Sequence, residues 1–509
     1  MNGLTDPVDE HTKQLITLRQ EAIESHQRRM IVIAGDLNWS LKLAENFALY
    51  LADSTTDSPL WIAKEWPEPP NRLQQIIGSE SPLLIFNAHH GFDPNLFGAA
   101  TGAVIGGGLV LLLVPDFAKW RIKSDPVSSR ITVYPHPPES ISNRYIERLI
   151  RCINDGVKES LVTLLRQTDQ PVETLSDKGP QSAKAVTGPK IFEPESSADQ
   201  QKAIDAIIHT ATGHRHRPLV ITADRGRGKS AAMGIAAARL IQAGKSRVVV
   251  TAPGRSAVTS LFKHAKIEWQ EMDHDPQSLP LEFVAPDRLI NQAIQADLVL
   301  VDEAAAIPTP ILSKILERHS RVIFATTTHG YEGSGQGFAL RFLQHLQAQC
   351  PDYGRIQLNS PIRWSTGDPV EKLVNQMLIL DAEPKLPEAL RTLSAHQIDR
   401  IERLDRTQLA ANEPLLRQLF GLLVLAHYRT TPLDLRQLLD GPNLTIYTAT
   451  SKGTLVATAL VADEGELNSE QLVDEIWLGN RRPQGHLLPQ TLIAHLGIKE
   501  AAPLRYRRI

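Results

Sequence analysis

The chemistry of this sequence centres on a short stretch that ends in lysine and serine, Ala223-Asp-Arg-Gly-Arg-Gly-Lys-Ser230. An apolar, strand-like run precedes the stretch, and an alanine-rich helical run follows it. A loop in this position can bind phosphate, because its backbone N–H groups and the helix N-terminus both point at the anion. In such a loop Lys229 would reach the β- and γ-phosphates of a nucleotide, and Ser230 would coordinate Mg²⁺. The alternative is a basic turn that binds no ligand.

Two glycines and the first residue of the stretch bear on that interpretation. Gly226 and Gly228 stand where a side chain would prevent phosphate from approaching the backbone. Ala223 replaces the glycine that usually opens this pattern, and a methyl group is tolerated there if the backbone has a negative φ. The stretch is therefore predicted to be a phosphate-binding loop.

A pair of acids, Asp302 and Glu303, follows the apolar run Leu298–Val301. This run is typical of a buried strand, whose carboxyl end would lie at the same edge of a parallel sheet as the phosphate loop. There, Asp302 can hold Mg²⁺ directly or through water, and Glu303 can orient or deprotonate the attacking water. Helix capping would explain either acid alone, but not the order of strand, phosphate loop, strand and acid pair. The combination predicts nucleotide hydrolysis, with Lys229, Asp302 and Glu303 as catalytic residues and with Ser230 and Asp302 as metal ligands.

Two further polar residues are candidates for the same site. Gln200 lies upstream of the phosphate loop, where its amide could pair with the edge of adenine; an exposed polar position at a helix start is the alternative. Arg363 follows the last predicted strand of this segment and could contact the γ-phosphate as a catalytic arginine finger; the alternative is a surface ion pair. Both residues are predicted to bind nucleotide.

The elements that must position these residues indicate an α/β protein with three domains. Residues 1–165 alternate apolar strands with helices, which predicts a parallel α/β domain, and the polar segment 166–195 is predicted to be a linker. Residues 196–384 repeat the alternation around the phosphate loop, which predicts a P-loop NTPase sheet. Residues 385–509 change to helices and an antiparallel strand pair. The predicted strands are Met30–Ala34, Leu83–Asn87, Leu109–Val114, Ile131–Tyr134, Leu219–Thr222, Arg247–Thr251, Leu298–Val301, Arg321–Thr327, Arg355–Leu358, Leu444–Thr450 and Thr454–Asp463.

Composition restricts the class of protein further. Hydrophobic residues make up 42% of the 509 residues and charged residues 22%, as in a globular protein. With a formal net charge of −3, a nucleic acid would have to be bound by local basic patches. Cys152 and Cys350 lie far apart in sequence, which favours a reducing, cytoplasmic setting. The uncharged stretch Leu96–Val114 is interrupted by glycines and is predicted to be a helix, a glycine turn and a buried strand Leu109–Val114 rather than a membrane span.

Five motifs along the chain form a distinctive ordered set. They are Asp302-Glu-Ala-Ala-Ala-Ile-Pro308, Thr326-Thr-Thr-His-Gly-Tyr-Glu-Gly-Ser-Gly-Gln-Gly-Phe338, Pro361-Ile-Arg-Trp364, Ala426-His-Tyr-Arg-Thr-Thr-Pro-Leu-Asp-Leu435 and Arg481-Arg-Pro-Gln-Gly485. Together they resemble the bacterial tRNA(Met) cytidine acetyltransferases over essentially the whole chain. The resemblance implies a RecA-type, RNA-helicase-like ATPase module followed by part of a GNAT acetyltransferase domain in residues 385–509. It also implies ATP- or GTP-dependent transfer of acetyl from acetyl-CoA to N4 of the wobble cytidine of elongator tRNA(Met), with neither membrane nor DNA as a partner.

The resemblance also assigns residues to the nucleotide. ATP would be bound by Gln200, Arg363 and the loop residues Thr222, Ala223, Asp224, Arg225, Gly226, Arg227, Gly228, Lys229, Ser230 and Ala231. Family members continue beyond the position of Ile509 with a glycine-containing loop that binds CoA, so acetyl-CoA binding is expected to need residues that follow this sequence. Three functions are compatible with the sequence: the acetyltransferase completed by a longer or a second chain, an RNA-stimulated ATPase without acetyl transfer, and an inactive remnant that binds RNA.

A tRNA surface would have to be assembled from basic residues scattered along the chain. The candidates are Arg28, Arg29, Arg144, Arg148, Arg151, Arg481, Arg482, Arg505, Arg507 and Arg508. Solvated faces unrelated to RNA are the alternative. The glycine-rich segment Gly330–Gly337 is a candidate link between nucleotide state and RNA contact, and a merely mobile loop is its alternative.

Overall fold

The computed structural model describes residues 10–52, 58–64, 72–76, 79–167, 196–328, 335–382, 397–426 and 430–509. In these ranges the chain forms two parallel sheets and one antiparallel sheet, with helices packed around them. The predicted α/β class is therefore confirmed. Most of the predicted linker 166–195 and part of the segment Gly330–Gly337 lie outside the described residues, as does the predicted domain boundary at residue 385.

The first sheet is parallel and buried on both faces. Its strands are β1 (Arg29–Ala34), β2 (Leu60–Ile62), β3 (Ser81–Asn87), β4 (Val104–Val114) and β5 (Val162–Arg166). They pair in the order β2-β3-β4-β1-β5. The helices around it are α1 (Glu10–Ser25), α2 (Leu37–Ala52), α3 (Arg72–Ile76), α4 (Pro94–Thr101), α5 (Phe117–Ile122) and α6 (Arg144–Lys158). Apolar residues of α1 and α2 cover one face, and those of α4 and α6 cover the other, which explains the continuous apolar strands.

The uncharged stretch Leu96–Val114 belongs to this sheet. It supplies most of α4 and all of β4, and β4 pairs with both β1 and β3. The predicted helix and buried strand Leu109–Val114 are therefore confirmed, but the predicted glycine turn is wrong, because Gly106, Gly107 and Gly108 lie within β4. No helix among the described residues is long and apolar enough to cross a membrane.

One predicted strand, Ile131–Tyr134, is wrong. These residues follow a 3₁₀ turn at Pro126–Arg130, and none of the described sheets includes them. Ile131 and Val133 are nevertheless buried, and Val133 lies directly against Gly485 near the end of the chain. Their apolar character reflects a turn buried by a distant segment. The strand that pairs with β1 in this part of the chain is β5.

The second sheet carries the phosphate loop. Its strands are β6 (Leu219–Ala223), β7 (Val248–Thr251), β8 (Glu282–Phe283), β9 (Leu298–Val301), β10 (Val322–Thr327) and β11 (Gly354–Leu358). They pair in parallel in the order β11-β6-β10-β9-β7-β8. Its helices are α7 (Ser196–Thr212), α8 (Lys229–Gln242), α9 (Thr259–Glu271), α10 (Pro286–Asn291), α11 (Thr309–Arg318) and α12 (Gly335–Gln349). The carboxyl ends of β6, β9 and β10 lie along one edge, from which both the loop and the acid pair emerge.

The third sheet is antiparallel. Its strands are β12 (Arg400–Arg403), β13 (Leu444–Ser451), β14 (Thr454–Gly465) and β15 (Arg505–Arg508), paired in that order. The predicted antiparallel pair, β13 with β14, is confirmed, and β12 and β15 each add a strand beside it. The helices of this part of the chain are α13 (Pro369–Leu378), α14 (Arg406–Ala411), α15 (Glu413–Ala426), α16 (Pro432–Asp440), α17 (Glu470–Trp477) and α18 (Leu487–Leu496). Assignment of this sheet to a GNAT domain stays a prediction.

A continuous hydrophobic cluster joins the first sheet to the later helices. It contains Val32 of β1, Ile153 of α6, Leu373 of α13, Leu439 of α16 and Ile446 of β13, all fully buried. The chain therefore leaves the phosphate-loop sheet after β11 and packs α13 against the first sheet. As a result, the segment 359–371 runs between the two parallel sheets.

Candidate active site at the phosphate loop

The phosphate loop connects β6 to α8 and turns on two left-handed glycines. Gly226 has φ +81° and Gly228 has φ +76°, values that L side chains rarely adopt. A Cβ added at Gly226 would lie 2.9 Å from Cη2 of Trp364, and one at Gly228 would lie 2.2 Å from Cδ1 of Ile362. Both glycines are thus required by backbone conformation and by packing. Ala223, by contrast, is a buried strand residue without a positive φ, so its methyl group is tolerated in the way the sequence predicts.

Lys229 opens α8 and extends to the acid pair at the end of β9. Its Nζ lies 2.8 Å from Oδ1 of Asp302 and 2.7 Å from Oε1 of Glu303. Lys229 is 7% exposed and Asp302 is fully buried. Burial alone would lower the pKa of Lys229, but the two carboxylates outweigh burial and raise that pKa above its ordinary value. Lys229 is therefore a cation throughout the neutral pH range, positioned to hold negative charge at the edge of the sheet.

Ser230 and Asp302 bring two oxygen ligands together. Ser230 Oγ donates a hydrogen bond of 2.7 Å to Oδ2 of Asp302, and the N–H of Asp302 donates to the carbonyl of Thr251 at 2.9 Å. A hydroxyl and a carboxylate suit Mg²⁺, which binds hard oxygen atoms. The described part of the chain contains no group of three or more His, Cys, Asp and Glu side chains that could hold a metal ion. Ser230 and Asp302 as metal ligands stay a prediction.

Glu303 has an unusual backbone conformation and a fixed side chain. Its φ of +47° places it in the left-handed region, where a non-glycine residue costs roughly 1–2 kcal/mol. Its N–H donates to Oδ1 of Asp302 at 2.9 Å, and Thr327 Oγ1 lies 3.3 and 3.2 Å from its two carboxylate oxygens. The side chain is 24% exposed, so solvent reaches it. Strain of this kind persists where the surroundings enforce it, characteristically at functional sites.

Two other predicted residues, Thr222 and Ala231, lie in the elements that flank the loop, and a third, Asp224, opens the loop itself. Thr222 is buried within β6, and Ala231 is buried in the first turn of α8. Asp224 accepts a hydrogen bond of 2.8 Å from Oγ1 of Thr328, which follows β10. These contacts fix both ends of the loop on the sheet.

The two arginines of the loop point toward neighbouring elements. The side chain of Arg225 lies against Gly102, where an added Cβ would be 2.7 Å from Nε of the arginine. Arg227 lies 2.8 Å from Oε1 of Glu371 and donates to the carbonyl of Asn359 at 3.0 Å. The side chain of Arg227, 9% exposed, is therefore engaged by Asn359 and by α13.

Gln200 lies beside the loop, near the start of α7. Its Nε2 donates to the carbonyl of Gly228 at 3.5 Å. The preceding residue, Asp199, accepts from the N–H groups of Asn359 and Ser360 at 3.3 and 3.4 Å, which ties α7 to the segment after β11. The structure thus brings Gln200 to the loop, and its contact with adenine stays a prediction.

Arg363 reaches the loop through its backbone and the first sheet through its side chain. Its N–H lies 3.4 Å from the carbonyl of Gly226. Its guanidinium donates to the carbonyl of Gly102 at 3.0 Å and lies 3.6 Å from Oε1 of Glu80. The ion pair that the sequence offered as the alternative is therefore present. The role of Arg363 as an arginine finger stays a prediction.

Sequence reasoning missed several side chains that support the site. Thr327 is the last residue of β10. Its position at the same sheet edge as the acid pair was the signal that could have identified it. Trp364 is adjacent to Arg363 in a motif that the sequence does single out. Asp368 and Glu371 open α13 in the manner of ordinary helix-capping acids, so no local pattern distinguishes them.

Two arginines considered for a tRNA surface are buried. Arg28 is 2% exposed and pairs with Asp368 at 2.8 Å. Arg148 is 1% exposed and pairs with Glu413 at 2.7 Å. Both guanidinium groups are used in the interior of the fold, so including them among the surface candidates was wrong.

Known families match both parallel-sheet regions. The N-terminal model of tRNA(Met) cytidine acetyltransferase TmcA matches residues 1–163. The helicase-domain model of RNA cytidine acetyltransferase NAT10/TcmA matches residues 220–381. The second match includes the phosphate loop, the acid pair and Arg363.

Full-length relatives give the same result. The tRNA(Met) cytidine acetyltransferase TmcA of Nitrosococcus halophilus is 42% identical over 516 residues, which cover 99% of this chain and 68% of the relative. The TmcA proteins of Vibrio cholerae and Haloferax volcanii are 35% and 34% identical; each match covers 96% of this chain, and 64% and 67% of those relatives. The chain therefore spans about two thirds of the length of these relatives. It belongs to the tRNA(Met) cytidine acetyltransferase family.

Proposed function

We propose that this chain hydrolyses a nucleoside triphosphate at the phosphate loop and couples hydrolysis to N4-acetylation of a cytidine in tRNA(Met). One observation carries the proposal. Lys229 and Ser230 lie within hydrogen-bond distance of the acid pair Asp302 and Glu303, at the carboxyl edge of a parallel sheet. A lysine, a hydroxyl group and two carboxylates behind a glycine-containing loop are the parts that phosphoryl transfer requires.

Each residue has a distinct part in the proposed reaction. The loop N–H groups and Lys229 hold the β- and γ-phosphates, so Lys229 exchanges carboxylate oxygens for phosphate oxygens when nucleotide binds. Ser230 and Asp302 hold Mg²⁺, which neutralises charge on the phosphates. Glu303 takes the proton of the attacking water, and Thr327 keeps the carboxylate oriented.

Two residues at the rim complete the proposed nucleotide site. Gln200 is proposed to contact the base, because its amide has both a donor and an acceptor and lies beside Gly228. ATP is the proposed nucleotide, with GTP as an alternative that the same amide could accommodate. Arg363 is proposed to stabilise charge on the γ-phosphate, and its backbone contact with Gly226 supports a position near the loop.

The acetyl-transfer step is proposed from family membership. The relatives are named tRNA(Met) cytidine acetyltransferase, which supports acetyl-CoA as cofactor, elongator tRNA(Met) as substrate and a cytoplasmic location. We further propose a division into residues 1–165, 196–384 and 385–509, with the antiparallel sheet as part of a GNAT domain. An RNA-stimulated ATPase without acetyl transfer is the second candidate, because every residue of the site described above lies in or beside the phosphate-loop sheet.

The proposal is tested by phosphate release and acetylcytidine formation with elongator tRNA(Met), ATP, Mg²⁺ and labelled acetyl-CoA. Lys229→Ala is expected to lower tRNA-dependent phosphate release by about 100-fold or more, because phosphate charge is then left without its cation. Lys266→Ala, which removes an exposed lysine of α9, is the control and should retain wild-type turnover. Equal phosphate release by the wild type and Lys229→Ala would refute nucleotide hydrolysis at this site. Phosphate release without acetylcytidine would refute acetyl transfer by this chain alone and would support the second candidate for it.

A further inference from the structure

The segment 359–371 holds the phosphate loop from outside the nucleotide site. The carbonyl of Gly226 accepts a hydrogen bond of 2.8 Å from the N–H of Ile362. The side chains of Ile362 and Trp364 fill the space where Cβ atoms of Gly228 and Gly226 would otherwise lie. The loop is therefore shaped by packing as well as by its own sequence.

Glu371 is the polar centre of this support. One of its carboxylate oxygens lies 2.8 Å from Arg227 of the loop. The other accepts a hydrogen bond of 3.3 Å from Nε1 of Trp364. The side chains of Arg227 and Glu371 are 9% and 24% exposed, and Trp364 as a whole residue is 2% exposed. The contacts are therefore largely shielded from water and retain much of their strength. A single carboxylate thus fixes both the loop and the indole that packs against it.

The same indole also contacts Arg28, the residue that precedes β1 of the first sheet. The guanidinium carbon of Arg28 lies 3.4 Å from the centroid of the Trp364 ring, and such a stacked cation attracts the ring electrons. Arg28 also donates to Oδ1 of Asp368 through Nε and NH2, at 3.1 and 2.8 Å, and to the carbonyl of Thr101 at 2.7 Å. Oδ1 of Asp368 in turn accepts the N–H of Glu371 at 2.7 Å.

Backbone contacts fix the segment to the first sheet at further points. The N–H of Gly106 donates to the carbonyl of Arg363 at 2.6 Å. The N–H of Ser365 donates to the carbonyl of His26 at 2.8 Å. The segment is therefore held by a residue just after α1 and a residue near the start of β4, while the segment itself holds the loop.

We propose that Glu371, Trp364 and Arg28 are positioning residues, through which the first sheet holds the phosphate loop in the shape that binds nucleotide. The inference rests on the proposed nucleotide hydrolysis and adds a role for the N-terminal region in it. None of the three side chains needs to touch the nucleotide, because they act through Arg227 and Gly226. Loss of one should weaken nucleotide binding and leave the chemistry of Lys229, Asp302 and Glu303 largely intact.

The chain provides a matched control at a second junction between α6 and the later helices. There, Arg148 is as deeply buried as Arg28, makes two bonds to the carboxylate of Glu413 and donates to the carbonyl groups of Gln376 and Met377. This arrangement repeats the buried arginine fork and the backbone carbonyl acceptor of the Arg28 junction, with a 40% exposed glutamate in place of the buried Asp368, and none of these contacts involves the phosphate loop. Substitutions there measure the cost of breaking a junction without altering the loop.

The experiment compares Glu371→Gln with Glu413→Gln, and Arg28→Lys with Arg148→Lys, in the full chain. The measurements are the Kd of Mg·ADP by calorimetry, KM and kcat for ATP with tRNA, and the melting temperature. Glu371→Gln and Arg28→Lys are expected to raise Kd and KM by roughly tenfold, with kcat within about threefold, because charge-assisted bonds that shape the loop are lost. The two control variants should lower the melting temperature by a similar amount and change Kd by less than about twofold.

The double variant Arg28→Lys/Glu371→Gln adds a stricter test. Both residues hold the same indole and the same loop. The fold increase in Kd of the double variant should therefore be smaller than the product of the fold increases of the two single variants. The wild type should bind Mg·ADP and the Lys229→Ala variant should not. If both hold and Glu371→Gln and Glu413→Gln nevertheless have equal Kd values, the positioning role is overturned and nucleotide binding at the loop is not. A wild type that binds no Mg·ADP would overturn the proposed function itself, and the inference with it.

Discussion

Two parallel sheets in this protein share an architecture, yet the loop proposed to bind phosphate belongs to the second. In the first sheet, Gly35 and Asp36 alone connect β1 to α2. In the second, Asp224–Gly228 separate β6 from α8. The strands on either side are buried apolar runs in both sheets, so the length and composition of the turn make the difference.

The N–H groups of the first turn are used within the fold. The N–H of Gly35 donates to the carbonyl of Val114 at 3.1 Å, and the N–H of Asp36 donates to Oε1 of Gln167 at 2.8 Å. The side chain of Asp36 pairs with Lys119 at 3.3 Å, which places negative charge at the helix start. The second turn instead bends on left-handed glycines and ends in a lysine. Fold alone therefore does not determine function, and the site is added by a few residues in one turn.

The largest effect that would sharpen this contrast is expected for Glu303→Gln. Phosphate release should fall by about 100- to 1,000-fold, because the proposed base for the attacking water is lost. The Kd of Mg·ADP should stay equal or decrease, since one of the two carboxylates that hold Lys229 is removed. Asp116→Asn is the control from the first sheet: Asp116 follows β4 at the equivalent sheet edge and caps α5. Equal turnover losses in the two variants would contradict the distinction between the sheets.

A smaller effect, on binding rather than chemistry, is expected for Gly228→Ala. The added Cβ would meet Cδ1 of Ile362 at 2.2 Å, in a backbone with φ +76°. The Kd of Mg·ADP should therefore rise by about tenfold or more as the loop shifts, since a loop moved from its cradle loses N–H contacts with phosphate.

Gly244→Ala isolates the conformational part of that effect. Gly244 also has a positive φ, +91°, but nothing lies within 4 Å of its added Cβ. This variant should lose roughly 1 kcal/mol of stability and bind Mg·ADP like the wild type. If both alanine variants bind nucleotide normally, steric shaping of the loop by Ile362 is wrong.

The central strands of the second sheet are easier to predict from the sequence than short or charged edge strands, for a physical reason. Central parallel strands are buried on both faces and appear as continuous apolar runs, which is why β6, β9 and β10 were predicted within a residue or two. The edge strands Glu282–Phe283, Arg400–Arg403 and Arg505–Arg508 are short or charged, and only pairing in three dimensions reveals them. Apolar character also misleads where a turn is buried, as at Ile131–Tyr134.

The site shows the same division between local and tertiary information. Lys229 and the acid pair follow from residue types in a fixed order beside apolar runs. Arg28 and Asp368 are separated by 340 residues, and neither belongs to a local motif. Their pairing depends on the return of α13 to the first sheet, which no periodicity in a single sequence encodes.

The smallest predicted effect concerns two buried carboxylates with different surroundings: Asp302 beside the phosphate loop, and Asp440 between α6 and α16. Asp302 faces a lysine, whereas Asp440 of α16 accepts hydrogen bonds of 2.7 Å from Ser142 Oγ, 2.9 Å from the N–H of Arg144 and 3.2 Å from the N–H of Tyr145. Asp440 therefore caps α6 and joins it to α16. Burial raises the pKa of Asp440 from 3.8 to about 6, although these hydrogen bonds and the nearby guanidinium act in the opposite direction.

The raised pKa gives the pH dependence a definite sign. The folded protein binds the proton of Asp440 more tightly than the unfolded chain does, so this contribution to stability is complete below pH 3.8 and is lost as the pH rises through about 6. The free energy of unfolding of the wild type minus that of Asp440→Asn should therefore decrease between pH 4.5 and pH 7.5 in urea titrations. Asp405→Asn is the control, because the pKa of Asp405 is lowered by backbone hydrogen bonds at an exposed helix start, and its contribution is lost only at more acidic pH. A difference for Asp440→Asn that increases with pH would show that this carboxylate is stabilised in its charged form, and the predicted pH dependence would be wrong.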